Sequence, residues 1–245
     1  MPNEAGDMKL LGNFRKLIDY VSGDSTYNPS NAALAKTALE DQYTAALSAV
    51  QEVATKLAPN KIAVNNRQSA FEALGSLVKR SRNLLKASGT SSKVLDDAET
   101  LVRKLTGTRK SPKSKAVPDD PKTPENEAVI SHSASQMSYD NQLGNFGGYV
   151  AILKNVPEYN PNETDLKFTG LNATLADLQA KNNAVSSTFV PLSQARGVRD
   201  NPLYTGAGCV VNTALLVKAY VNGALGPSSQ LNKQIKGIQF QRQRK

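Results

Sequence analysis

Residues 39–57 read LEDQYTAALSAVQEVATKL. In this stretch Leu39, Tyr43, Ala46, Val50, Val53 and Leu57 follow one another at steps of 4, 3, 4, 3 and 4. That spacing is a heptad seam, which lets two long helices lie nearly side by side. The same spacing returns 132 residues later (171 − 39 = 132) as Leu171, Leu175, Leu178, Asn182, Val185 and Phe189. The one polar member, Asn182, is read as a rim position, because an amide buried without partners is costly.

Short exact matches surround the two seams at the same offset. Leu11-Gly12-Asn13-Phe14 recurs as Leu143-Gly144-Asn145-Phe146, and Tyr27-Asn28-Pro29 as Tyr159-Asn160-Pro161. Pro59 pairs with Pro191 and Arg67 with Arg199. Matches so far apart in one register indicate tandem duplication of a unit of roughly 100 residues. Leu11, Phe14, Leu39 and Leu57 are therefore expected to occupy the same places as Leu143, Phe146, Leu171 and Phe189.

Within the first repeat, Leu10, Leu11, Phe14, Leu17, Ile18 and Val21 trace one face of a helix. Asn28-Pro29-Ser30 reads as the start of the next helix. Pro59 and Pro191 predict a kink or short break. Phe71, Leu74, Val78, Leu84 and Leu85 mark a third helix, matched by Leu203, Val210, Ala214, Val217 and Val221. Val94, Leu95, Ala98, Leu101, Val102 and Leu105 mark a fourth, matched by Leu231, Ile235 and Ile238. Alternating strand patterns are nearly absent. The expected fold is all-α, a tandem duplication of a unit of about four helices in antiparallel helical bundles. Residues 1–107 form helical repeat 1, 108–126 a Pro/Lys-rich flexible linker, 127–240 helical repeat 2, and 241–245 a basic C-terminal tail.

Thirty Lys+Arg oppose 21 Asp+Glu among 245 residues, for a net charge of +9. Residues 1–107 hold 14 basic and 11 acidic side chains, 108–126 hold 5 and 3, and 127–245 hold 11 and 7. An excess so divided favours solubility and weak attraction to polyanions over a dedicated nucleic-acid stripe. The polyanion-contact candidates are Lys79, Arg80 and Arg82 on a helix and Arg109, Lys110, Lys113 and Lys115 in the linker. Counterion release by such residues gives binding that weakens with salt.

Catalytic constellations are missing. His132 is the only histidine and Cys209 the only cysteine. A catalytic His needs a positioned partner, and one His with one Cys makes no ordinary zinc site. Cys209 is read as a small buried thiol in a helix face. Asp96, Asp97 and Glu99 suit a helix N-terminus. Gly147-Gly148 and Gly206-Ala207-Gly208 lack phosphate-loop spacing and are read as packing or hinge features. No signal peptide or membrane-length apolar run is found, so a cytoplasmic location is expected.

Three segments carry a resemblance: Ser88-Gly89-Thr90-Ser91-Ser92-Lys93 running into Asp96 to Lys104, then Tyr159 to Lys167, then Leu203-Tyr204-Thr205. Together they resemble a group of uncharacterised two-repeat helical proteins of Bacteroidetes-type bacteria. The resemblance implies a bacterial, two-part helical protein and transfers no activity.

The expectation for function is a non-enzymatic helical scaffold or protein-interaction protein, without cofactor, that binds protein partners. The alternative is a nucleic-acid-associated protein that binds weakly through distributed charge and the linker.

Overall fold

The computed structural model describes residues 4–108 and 137–241. Among these residues the chain is helical, without strands. Its α-helices are α1 (Glu4–Gly23), α2 (Lys36–Ala87), α3 (Ser92–Thr106), α4 (Tyr139–Lys154), α5 (Phe168–Asp200), α6 (Val210–Ala224) and α7 (Gln230–Lys236). A 3-10 turn, Ala32–Leu34, precedes α2, and a π-helical turn, Asn201–Thr205, follows α5. All of the linker but Thr108, with His132 and the opening of the second repeat, lies outside the described residues.

The starts of α2 and α5 stand 132 positions apart (168 − 36 = 132). Both are preceded by the same clasp. Tyr27 donates its hydroxyl proton to the Leu34 carbonyl at 2.8 Å, and Tyr159 donates to the Leu166 carbonyl at 2.8 Å. The clasp corrects one sequence reading. Asn28-Pro29-Ser30 does not start a helix, because the chain must loop for Tyr27 to reach Leu34. Asn31 caps instead, its Oδ1 accepting from the Ala33 amide.

The prolines do not break their helices: α2 runs through Pro59 and α5 through Pro191. Proline removes one donor, which leaves the carbonyl four residues back without its helical partner. For Pro59 that carbonyl belongs to Thr55, and both residues are exposed, so water can take the bond. The third helix expected in the first repeat is thus the continuation of α2. In the second half the chain does break, through the π-helical turn, before α6.

The chain divides into two compact units, Met1–Ile62 with Ser187–Lys245, and Ala63–Ser186. Each unit draws on residues from both sides of the 108–126 segment. In the first, Leu10, Leu11, Phe14, Leu17, Ile18 and Val21 of α1 belong to one core with Val210, Ala214, Val217 and Val221 of α6 and Leu231 and Ile235 of α7. In the second, Phe71, Leu74, Val78 and Leu85 of α2 join Ala98, Val102 and Leu105 of α3. Phe146, Tyr149, Val150 and Leu153 of α4, with Leu171 and Leu178 of α5, complete that core. The glycine pair of α4 lies beside Leu101 and Leu175, with room for a Cβ at ordinary contact distance. A Cβ on Gly148 would stand 3.5 Å from Leu101 of α3.

The first seam is as read, with Leu39, Ala46, Val50 and Val53 buried. The second holds through Leu178 and then changes phase. Phe189 is 51% exposed, contrary to the expected match with Leu57. Thr188 takes the inward position, accepting a hydrogen bond from the Asn60 amide at 3.1 Å. Leu192 and Ala195 then pack with Val53 and Leu57. A step of three residues where the seam called for four rotates the next side chain out of the contact.

Candidate functional site

Asp7 occupies a core-facing position of α1, one turn before Leu10 and Leu11, and is buried with them. A buried carboxylate requires a partner. Arg199, at the end of α5, supplies it: Nη1 lies 2.9 Å from Asp7 Oδ2, and the two side chains are 0% and 2% exposed. Tyr204, on the π-helical turn, donates to Asp7 Oδ1 at 2.6 Å. Burial first, and then this bond to the carboxylate, push the Tyr204 pKa up. Arg199 Nε and Nη2 both donate to Asp200 Oδ1, at 3.0 and 2.7 Å. The turn that brings Tyr204 into place closes tightly at Gly206, whose amide donates to the Asn201 carbonyl. A Cβ on Gly206 would stand 2.6 Å from Asn201 Oδ1 and 2.9 Å from the Asn201 carbonyl. Glycine is required there by the close approach.

Arg67, the residue at the same offset on α2, is half-buried. Its guanidinium carbon lies 4.1 Å from the Tyr139 ring centroid. Its Nη1 donates to Asn182 Oδ1 at 3.2 Å, and Asn182 Nδ2 donates to Asp140 Oδ1 at 2.8 Å. Asn182 is thus half-buried, with a partner at each end of its amide.

Of the residues proposed for polyanion contact, Arg109, Lys110, Lys113 and Lys115 lie outside the described residues. Lys79, Arg80 and Arg82 sit on α2. Arg80 pairs with Asp165 at 2.6 Å, and Arg82 pairs with Glu99 of α3. The Arg82 hydrogen bond holds Glu99 below the ordinary carboxylate pKa. Lys79, Arg82, Arg103 and Glu99 border a cleft of about 350 Å³. Two of the three described candidates are therefore engaged by carboxylates.

A second cleft, of about 440 Å³, lies in the unit that contains α1 and α7. One wall is a stripe of α1: Lys9, Asn13, Lys16 and Tyr20. The other is the end of α7 and its extension: Gln234, Gly237, Ile238 and Gln239. Asn13 Nδ2 donates to the Gln239 carbonyl at 2.9 Å. Lys218 Nζ donates to the carbonyls of Lys236 and Ile238, at 3.1 and 2.7 Å. Burial pushes the Lys218 pKa down. These bonds fix the backbone of the second wall. Nothing in the sequence reading singled out this cleft. The available signal was the stripe Lys9, Asn13, Lys16, Tyr20 on the face of α1 beside its apolar one.

Cys209 is buried as read, but as the N-cap of α6 and not in a helix face, with its Sγ 3.3 Å from the Tyr204 carbonyl. No group of three or more His, Cys, Asp or Glu suited to a metal occurs among the described residues. No helix among them is long and apolar enough to cross a membrane.

No family model, curated protein or solved structure matches this chain.

Proposed function

We propose that this protein is a non-enzymatic helical scaffold that binds partner proteins, built by duplication of one helical unit whose two copies form antiparallel bundles by exchanging helices. The observation that carries the reading is the mixed origin of each unit. Residues 1–62 share a core with residues from 187 on, while α3 packs with α4. The paired tyrosine clasps and the Arg67–Arg199 correspondence support two copies of one plan. Several polar side chains in the described interior join helices, as Asp7, Arg199 and Tyr204 do. Exposed apolar side chains on α5 and α6, among them Phe189, Val190, Val198, Leu215 and Leu216, are consistent with contact to other proteins. A cytoplasmic, bacterial setting fits this reading.

The test is capture of partners by the tagged full chain from lysate of its own host, with nuclease treatment and a salt series, then reconstitution with each purified partner. Saturable binding that survives nuclease and persists at physiological salt is expected. Capture that disappears with nuclease and falls steeply with salt would replace the scaffold by the nucleic-acid-associated reading.

A further inference from the structure

The two units treat the same helix face differently. At the 132-residue offset, Lys16 and Tyr20 of α1 stand where Gly148 and Ile152 stand in α4. Gln234 and Gly237 stand where α3 has Val102 and Leu105. In α3 those two apolar side chains are buried, and the neighbouring Leu101 lies beside Gly148. In the other unit the counterparts are an amide and a residue without a side chain, and the position facing them carries lysine. A seam closed by apolar side chains in one unit is a basic groove in the other.

The charge around this groove is one-sided. Beyond Asp200 the described residues contain no Asp or Glu, while Lys218, Lys233 and Lys236 lie there. The net charge is therefore less evenly spread than counts per repeat suggest. The acids of α1 beyond residue 5 are committed elsewhere: Asp7 pairs with Arg199 and Asp19 with Arg15. Arg15 also holds Glu40. Lys9 and Lys16 remain exposed on the groove, without a carboxylate partner among the described residues.

We infer that the groove between α1 and α7 is a docking site for an acidic, amphipathic helical segment of a partner protein. Lys9 and Lys16 are seven positions apart, about two helical turns and roughly 10 Å, the separation of two carboxylates at i and i+7 of a helix lying alongside. The Tyr20 ring and Ile238 give the groove an apolar floor for the side chains between those acids, as in helix-in-groove recognition. A nucleic-acid backbone has no use for that floor. The described lining also lacks arginine, whose fork matches phosphate oxygens; lysine acts as a point charge. The inference rests on the scaffold reading and names the class of partner segment.

The test uses the full chain and three labelled probes followed by fluorescence anisotropy. The first is a helical peptide of about 18 residues with Glu at i and i+7 and Leu at i+3 and i+4. The second carries Lys for every Glu, and the third is a single-stranded RNA of the same length. The acidic peptide should bind, the basic one should not, and RNA should bind more weakly than the acidic peptide. Lys9→Glu with Lys16→Glu should weaken the acidic peptide by about tenfold or more. The same charge change on the exposed Lys93 and Lys104 of α3 should alter it less than about twofold. Gly237→Leu restores the leucine found at the equivalent place in α3. A Cβ there meets nothing within 4 Å, so the fold should tolerate the change. It should weaken the peptide several-fold with every charge intact, and circular dichroism should confirm unchanged helicity. Failure of the wild-type chain to bind the acidic peptide would overturn the proposal. So would equal losses in the groove and α3 variants, or tighter binding of RNA through the same lysines. A captured host protein that binds the groove variants undiminished would remove the groove and leave the scaffold reading standing.

Discussion

Arg67 and Arg199 occupy equivalent positions in the two long helices and have opposite surroundings. Position 7 decides this: Arg199 meets Asp7, whereas Arg67 meets Tyr139, the residue 132 positions after Asp7. One arginine is sealed from solvent in a pair of charges. The other is half-open and lies against an aromatic ring. The same residue in the same place is thus an internal tie in one unit and a rim contact in the other. A buried ion pair is poor evidence of net stability, since both charges are desolvated to make it. It is a strong constraint once made, because neither partner can be removed alone.

The largest expected effect tests that constraint. Arg199→Met should destabilise its unit by about 3–5 kcal/mol, since Asp7 is left as an uncompensated buried charge. Arg67→Met should cost about 1 kcal/mol, the scale of a partly exposed cation–π contact. Urea unfolding of both variants checks the difference, and equal losses would abolish the distinction. Asp7→Leu combined with Arg199→Met should recover most of the loss.

The seam offers the next contrast. Leu178→Ala should cost about 2–5 kcal/mol through the cavity it leaves. It does so although Ala46, equally buried, stands at the equivalent place in α2. Phe189→Ala, at the phase change, should cost less than about 0.5 kcal/mol. Thermal unfolding of the pair separates the seam from its former extension.

The tyrosine clasps should behave alike. Tyr27→Phe and Tyr159→Phe each remove one hydrogen bond to a carbonyl, at about 1 kcal/mol. A discrepancy well beyond that would break the equivalence. Burial raises the Tyr27 pKa to about 12 from its ordinary 10.0. Its folded state therefore disfavours tyrosinate. The contribution is complete below pH 10 and lost as pH rises toward 12, which ultraviolet titration of tyrosinate follows.

The smallest effect concerns Glu99. Its pKa is held below the ordinary 4.5 by the hydrogen bond from Arg82. The contribution is present above pH 4.5 and declines as pH falls through the lower folded value. Carboxyl resonances followed by NMR should show Glu99 titrating below its ordinary 4.5, and Arg82→Gln should raise its pKa.

The helical class was legible because spacing alone carries it: the face of α1 and the seam from Leu39 to Val53 are buried as their periodicity requires. Register failed where two local effects met. Phe189 has the right spacing and hydrophobicity, but Thr188 has a polar partner in Asn60, and Leu192 and Ala195 fix the phase beyond. Of the kink or short break read at the prolines, the break does not occur, and at Pro59 the freed carbonyl is on an exposed stretch where water can reach it. Such access depends on which face of the helix is covered. The mixed origin of each unit was illegible for a related reason, since identical periodicities do not say which helices will pack together. Asp7 was the overlooked clue. An acid on the apolar face of α1 demanded a distant cation, and Arg199 was already conspicuous as the mate of Arg67. The groove was harder still, because it is defined by a missing side chain at Gly237 and by an amide in place of an apolar group at Gln234.

The composition of the units sets an order on assembly. Residues 63–186 are contiguous, so that unit can close once its own segment has been synthesised. The other must join residues 1–62 to residues from 187 on, across a long intervening stretch of chain. Such distant contacts are slow to form, because the entropy of loop closure is spent before packing offsets it. During translation Leu10, Leu11, Phe14, Leu17, Ile18 and Val21 of α1 can meet Leu34, Leu39, Ala46 and Val50 early, but their core stays incomplete until α6 and α7 emerge. The core around α1 is complete only when α6 and α7 have joined it, and that interval is when a chaperone has most to hold.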